Sequence, residues 1–290
     1  MILPFYKYEG LKNDFVIFDL RNVEDEGLLR AALDINLHRK LCQRHSGIGA
    51  DGILVLERSQ DPKLLGRMVI TNSDGSRPEM CGNGIRCVAQ FLFDNAEITK
   101  GDRFGVVSDA GTKEIILTDQ GVRVDMGVAR PLLGPRGQRL WGSLSDWVPD
   151  ETASYKGAQW AVDMGNPHLV LRSATDFKRI QNEGPAWGRH PFFVQGVNVG
   201  FSEQTGPHQI KLMVWERGAG ATWACGTGAC AAAVAWFDAE SWNRPVTVNL
   251  PGGTLTIEVH RKEDGAFQVF MIGPARQVYS GSLSLDSWAG

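Results

Sequence analysis

The sequence predicts an α+β protein of two similar domains. Three observations carry that expectation: a chain of 290 residues, two matched Cys-Gly-x-Gly motifs 144 positions apart, and strand-like runs in each half with one helix-like run after the cysteine. A chain of this length exceeds a single average core. The motifs are Met80-Cys81-Gly82-Asn83-Gly84 and Ala224-Cys225-Gly226-Thr227-Gly228, one per half, as expected of a duplicated unit with one reactive thiol per copy. The halves are expected to meet at a cleft, with the boundary near residues 126–135.

Residues 15–19, 53–57 and 68–71 are short β-type runs, and a helical segment from about 26 to 44 lies between the first two. Ile85, Val88, Ala89 and Leu92 follow Cys81, and Ala229, Ala232, Ala233 and Trp236 follow Cys225, both at i, i+3, i+4, i+7. Each cysteine is therefore expected at the start of an amphipathic helix. Residues 112–117 and 122–125 alternate around Asp119-Gln120-Gly121, the pattern of a hairpin. A passage containing Pro131, Gly134, Pro135, Gly137, Gly142 and Pro149 separates this set from the next. Strands are then expected at 161–164, 168–171, 197–201 and 209–214. Beyond the second cysteine helix, 246–250 and 254–260 flank Pro251-Gly252-Gly253 as a further hairpin, and 267–272 adds a strand.

Composition narrows the function. A net charge of −3 gives no electrostatic footprint for nucleic acid or an anionic membrane. No run approaches the roughly 18 to 20 apolar residues of a membrane span, and Met1-Ile2-Leu3-Pro4-Phe5-Tyr6-Lys7 lacks the basic-then-apolar order of a secretion signal. The five cysteines include no C-x-x-C pair, so free thiols in a reducing cytoplasm are expected, and zinc is poorly supported. The 34 glycines, about 12% of the chain against roughly 7% on average, cluster beside the polar motifs, which points to backbone used for binding.

At a helix start several backbone N–H groups lack partners and the helix dipole is positive. A thiol there is expected to shift toward thiolate, with a pKa approaching neutrality. Two such thiols facing each other make an acid and a base from one residue type. The bland role of a cysteine is a small buried hydrophobe, and Cys42, Cys87 and Cys230 take it. The flanking glycines let a ligand approach the backbone, whose N–H groups suit a carboxylate.

With these residues in view the chain resembles the diaminopimelate epimerase family. The motifs that carry the resemblance are Asn13-Asp14-Phe15, Gly47-Ile48-Gly49-Ala50-Asp51-Gly52, Asn72-Ser73-Asp74-Gly75-Ser76 and Cys81-Gly82-Asn83-Gly84-Ile85-Arg86-Cys87. They continue with Met164-Gly165-Asn166-Pro167-His168, Val197-Asn198-Val199-Gly200, Trp215-Glu216-Arg217-Gly218-Ala219-Gly220 and Ala224 to Cys230. The resemblance implies two pseudosymmetric domains, each a β-barrel-like sheet around a central helix, with the active site in the interdomain cleft. It places an N-terminal domain at 1–127, to which 276–290 return, and a C-terminal domain at 128–275. It implies a cofactor-independent homodimer acting on a small amino-acid substrate, in the lysine and peptidoglycan pathway, while a cytoplasmic location and no metal are expected from the cysteine usage and spacing above.

Inverting an α-carbon requires a base on one face and an acid on the other, and Cys81 and Cys225 are the expected pair. The N–H groups of Gly82, Asn83, Gly226 and Thr227 are candidate donors to the substrate carboxylate. Arg217 is expected to take a distal carboxylate through a bidentate fork with help from Asn72 and Asn198. Asn13 and Asn166 are carried over as pocket residues, and Glu216 and His168 as groups that accept from an ammonium or assist proton movement. Four positions depart from the family pattern: Lys12 where Gly is usual, Gly52 where some members carry Gln, Trp215 for Tyr, and Ala221 for an acidic residue. Competing readings are a two-thiol racemase of proline, hydroxyproline or histidine, a thiol redox protein, and a non-catalytic anion binder.

Overall fold

The computed structural model describes residues 1–133, 139–143 and 158–288. Gly134, Pro135, Gly137 and Pro149 of the Pro/Gly-rich passage lie outside the described residues. The chain divides into two compact units, one of Met1–Asp125 with Gly273–Gly290 and one of Met126–Ile272.

The first unit begins with β1 (Ile2–Gly10), β2 (Asn13–Asp19), the short helices α1 (Glu26–Ala32) and α2 (Ile35–Cys42), β3 (Gly52–Glu57) and β4 (Arg67–Asn72). Then come α3 (Gly82–Asp94), β5 (Arg103–Ser108), β6 (Gly111–Thr118) and β7 (Gly121–Pro131), whose end belongs to the second unit. The second unit continues with β8 (Trp141–Ser143), β9 (Ala158–Asp163), β10 (Pro167–Arg172), α4 (Phe177–Gly188), β11 (Asn198–Gly206), β12 (Gln209–Glu216) and β13 (Gly220–Thr222). It closes with α5 (Gly226–Ala239), β14 (Val246–Leu250), β15 (Gly253–Arg261) and β16 (Phe267–Gly273), after which β17 (Arg276–Ser284) returns to pair with β1.

The two units repeat one ladder. In the first, β1–β2 is antiparallel, β2–β3 parallel, β3–β4 antiparallel, β4–β5 parallel and β5–β6 antiparallel. In the second, β9–β10, β10–β11, β11–β12, β12–β14 and β14–β15 follow the same sequence of senses. The parallel steps need crossovers, which α1 with α2 and α3 supply in one unit, and α4 and α5 in the other.

Strands β2, β3 and β10 read as near-continuous apolar runs because both of their faces are covered, while β11 alternates Val199 and Phe201 with Gly200 and the buried Ser202. In the first unit Val16, Phe18, Ile53, Val55 and Val69 form one cluster with Leu37, Leu41 and Cys42 of α2. The alternate residues Phe15, Ile17 and Leu54 are equally buried and point to the other face, where α3 packs against β1, β2, β3, β4, β6 and β17. In the second unit Leu169, Leu171, Val199, Phe201 and Met213 pack with Ile180 and Trp187 of α4. Its opposite face meets α5, which touches β9, β10, β11, β12, β14 and β15. Each unit is thus a sheet wrapped around a central helix.

Two sequence expectations change. The helical segment from about 26 to 44 is two helices, because the Asp34 carboxylate caps a new start by accepting from the Asn36 N–H at 2.9 Å. The Cys225 helix is not amphipathic: every residue from Gly228 to Phe237 is buried, as a helix enclosed by strands must be.

Trp215 leaves its sheet toward α4 and lies on glycines. A Cβ at Gly184 would stand 2.7 Å from Trp215 Cγ, and one at Gly188 3.3 Å from Cδ1. Gly184→Ala is therefore expected to lower stability by about 2 kcal/mol through overpacking, read as a fall in the urea midpoint. In a Trp215→Ala background the same substitution should cost much less.

Candidate active site

The sheet order sets where polar side chains can gather. Phe15 is opposite Gly52 and Gly52 opposite Asn72, so the starts of β2 and β3 and the end of β4 share one edge. Likewise His168 is opposite Asn198, and the Val199 to Trp215 pairing puts Glu216 beside Asn198. Counting by twos from the core positions, Asn13, Gly52 and Asn72 fall on the α3 side, and His168, Asn198 and Glu216 on the α5 side. Each central helix begins at that edge.

In the first unit Cys81 is the N-cap of α3, and its Sγ accepts from the Gly84 N–H at 3.3 Å. Asn83 is buried and donates Nδ2 to Asn13 Oδ1 at 3.0 Å, while Asn13 donates its own Nδ2 to Asp51 Oδ2 at 2.8 Å. Asn72 stands at the edge with Nδ2 on Ser76 Oγ at 2.9 Å. Cys87 is wholly buried, and burial pushes its thiol up.

In the second unit Cys225 caps α5, is buried, and has Sγ 3.6 Å from Thr227 Oγ1. A Cβ at Gly228 would stand 3.3 Å from that sulfur, so glycine there leaves room for the thiol, which unlike Cys81 makes no side-chain cap bond. The expected fall in thiol pKa does not hold for Cys225. Burial first, then the Glu216 carboxylate, push it well above the ordinary value, and the Gly228 N–H and Thr227 hydroxyl pull back less. Glu216 is a charged neighbour of the thiol, and its own carboxyl is pushed up by burial and held down by the Thr222 hydroxyl, donating at 2.6 Å, and by Cys225. Thr222 escaped the sequence reading. Its only sequence signal is a position three residues before Cys225.

His168 is buried with Nε2 3.0 Å from Asn166 Oδ1, an acceptor, so the ring proton sits on Nε2. Burial and the nearby Arg217 charge drive its pKa from 6.5 to about 3, so the ring is neutral. Asn198 Oδ1 accepts from the Arg217 backbone N–H at 2.9 Å, and its Nδ2 donates to the Pro167 carbonyl at 3.3 Å. Arg217 itself is exposed, with Nη1 on the Gln195 carbonyl at 2.6 Å.

The four departures have local causes. Leu11 and Lys12, with φ of 56° and 64°, form the two-residue turn between Gly10 and Asn13, a left-handed geometry that glycine would take without strain. Gly52 has no room for a side chain, since a Cβ would stand 2.8 Å from the Thr71 carbonyl. Trp215 is accommodated by Gly184 and Gly188, and Ala221 pairs opposite it in β13.

The diaminopimelate epimerase model matches residues 5–132 and 160–278. Two relatives named diaminopimelate epimerase are similar over almost their whole length. One from Synechocystis sp. is 39% identical over 98% of this chain and 100% of its own. Another, from Synechococcus elongatus, is 42% identical over 98% and 99%. The chain belongs to the diaminopimelate epimerase family. It is an isomerase of the amino-acid epimerase type. Among solved structures, a phenazine biosynthesis protein of Bacillus anthracis superimposes with a TM-score of 0.71 at 12% identity, covering 98% of this chain and 99% of that one. A probable proline racemase of Agrobacterium radiobacter gives 0.70 at 13%, covering 99% and 94%. At such identities these show the fold of two pseudosymmetric domains that the epimerase family shares with them. Among the described residues no group of three His, Cys, Asp or Glu is placed to hold a metal, and no helix is long and apolar enough to cross a membrane.

The neutral His168 makes stability depend on pH. Its folded pKa lies below the unfolded value, so the unfolded chain binds the extra proton, and stability present above pH 6.5 is lost as pH falls toward about 3. Unfolding free energy should drop by about 2 kcal/mol more between pH 7 and pH 5 in the parent than in His168→Gln, measured by urea titration at each pH.

Proposed function

We propose that the protein interconverts LL- and meso-2,6-diaminopimelate without a cofactor, passing the α-proton between Cys81 and Cys225, as a step toward lysine and peptidoglycan precursors. The observation that carries this is the repetition of a cysteine at the N-cap position, at the same point of two ladders with the same order of strand senses, in a chain of the diaminopimelate epimerase family. A single base would return the proton to the face it came from. A thiolate and a thiol on opposite faces invert the centre.

In the direction that uses Cys225 as acid, the Cys81 thiolate takes the α-proton and the C–H electron pair passes into the carboxylate as an enediolate. The Cys225 thiol then delivers its proton to the other face, leaving Cys81 as thiol and Cys225 as thiolate. The reverse direction exchanges the roles. Because burial and Glu216 keep Cys225 protonated, it starts as the acid. Glu216, the charged neighbour of that thiol, is the group through which that proton can leave when Cys225 must serve as base.

The enediolate is stabilised by the N–H groups of Gly82, Asn83, Gly226 and Thr227, which two helix starts direct outward. Recognition of the distal amino-acid head falls to Arg217, through its Nε and Nη2 edge, with Asn72 and Asn198. Asn198 acts partly through the backbone it fixes at Arg217. Asn13 and Asn166 complete the pocket, and the neutral His168 holds Asn166 in place.

In D2O under reducing conditions, deuterium should enter the α-carbon of the opposite-handed product from LL-diaminopimelate. Turnover of proline or histidine, with none of diaminopimelate, would overturn the assignment. Cys81→Ser and Cys225→Ser should each cut kcat/KM by about a thousandfold or more. Thr222→Val removes a hydrogen bond that favours the Glu216 carboxylate, so the acidic limb of the kcat/KM profile should move to higher pH.

A further inference from the structure

The hydrogen bonds behind Cys81 form a directed chain between two charges. Arg86, wholly buried in the second turn of α3, donates Nη2 to Asn83 Oδ1 at 2.9 Å, Nη1 to the Gly82 carbonyl at 3.1 Å and Nε to the Pro274 carbonyl at 3.2 Å. Asn83 Nδ2 donates to Asn13 Oδ1, and Asn13 Nδ2 donates to Asp51 Oδ2. Asp51 is anchored in turn: Oδ2 also accepts from the Asp14 N–H at 3.1 Å, and Oδ1 accepts from Arg44 Nη2 at 2.6 Å. Arg44 holds both oxygens of Asp14, and the buried Lys7 adds an ion pair to Asp14 at 2.7 Å.

A guanidinium only donates and a carboxylate only accepts. Two amides strung between them therefore have a single arrangement without conflict. Turning Asn83 alone sets its NH2 against Arg86 and its oxygen against Asn13 Oδ1. Turning Asn13 alone sets NH2 against NH2 and oxygen against Asp51. Turning both leaves a conflict at each charged end. Every alternative carries two like-polar contacts in a partly buried place, where such contacts are costly.

The geometry points to Arg86 and Asp51 as positioning residues that fix the amide orientation of Asn13, Arg86 acting through the buried Asn83 amide, and so decide which polar edge Asn13 turns to the substrate. This rests on the proposed substrate contact of Asn13. Neither charged residue needs to touch the reacting atoms. Arg86 also ties the Gly82 carbonyl, so the first turn beside Cys81 and the amide chain are held by the same group.

The test uses 15N-labelled full-length protein, with the side-chain NH2 signals of Asn13 and Asn83 assigned through Asn13→Ala and Asn83→Ala. Asp51→Asn should shift the Asn83 signal and Arg86→Lys the Asn13 signal, each one amide beyond the substituted group. A purely local packing defect would not reach that far. Both variants should lose about thirtyfold in kcat/KM. In an Asn13→Ala background the loss from Arg86→Lys should shrink to a few-fold. Should Arg86→Lys fail to fold, Asp51→Asn at the more exposed end decides. An unchanged Asn83 signal in Asp51→Asn, or an undiminished Arg86→Lys loss in the Asn13→Ala background, overturns the inference. A wild-type protein that shows the amide coupling but never turns over diaminopimelate would sink the functional assignment and leave the positioning chain standing.

Discussion

Everything in the site depends on where the central helices start. A helix buried in a wrapped sheet must place its first N–H groups somewhere, and in both units they emerge at the edge shared by two strand starts and one strand end. Cysteine is an unusual cap there, weaker as an acceptor than Ser or Asp, and its presence costs helix stability that the enclosed packing of α3 and α5 supplies instead. The third helical residue is glycine in both copies. A Cβ at Gly84 would meet Leu54 Cδ2 at 3.1 Å, and one at Gly228 would meet Val214 Cγ2 at the same distance. Helix, sheet and thiol can approach this closely only because those positions carry no side chain.

The resting state of Cys225 follows from a competition of magnitudes. A helix start favours a negative charge by about 0.3–2 kcal/mol, whereas full burial can shift a pKa by about 3–5 units, which is several kcal/mol the other way. An adjacent carboxylate adds to the burial term. The helix start therefore does not make a standing thiolate at this cysteine. In the proposed mechanism its service is to stabilise negative charge that appears during reaction, on sulfur or on a bound carboxylate.

Much of the fold was legible in the sequence where side-chain pattern decides it. The apolar runs of β2, β3 and β10, and the hairpin at Gly121 with its φ of 122°, follow from burial and turn chemistry. Strand β17 was not legible, because Arg276, Gln277, Val278, Tyr279 and Ser280 are exposed and the strand is held by backbone pairing to β1. Helix α4 was hidden by Gly184 and Pro185, which local propensity counts against a helix, yet Gly184 is needed under Trp215. The cysteines announced themselves by repetition. Arg86, Asp51 and Thr222 did not, since their roles arise from hydrogen bonds to residues distant in sequence or across a strand turn.

Duplication explains the geometry but not the division of labour, which lies in what each copy carries at equivalent points of the ladder. Where the first unit ends β4 with Asn72, the second ends β12 with Glu216, followed by Arg217. Where the first has Gly52, with no space for a side chain, the second has Asn198, which fixes the Arg217 backbone. The polar edge beside Cys81 is thus built of oriented amides backed by charges one layer away. The edge beside Cys225 places a carboxylate near enough to raise the thiol's pKa. Two chemically identical groups in matching frames are made unequal by their neighbours, oriented amides beside one and a carboxylate beside the other.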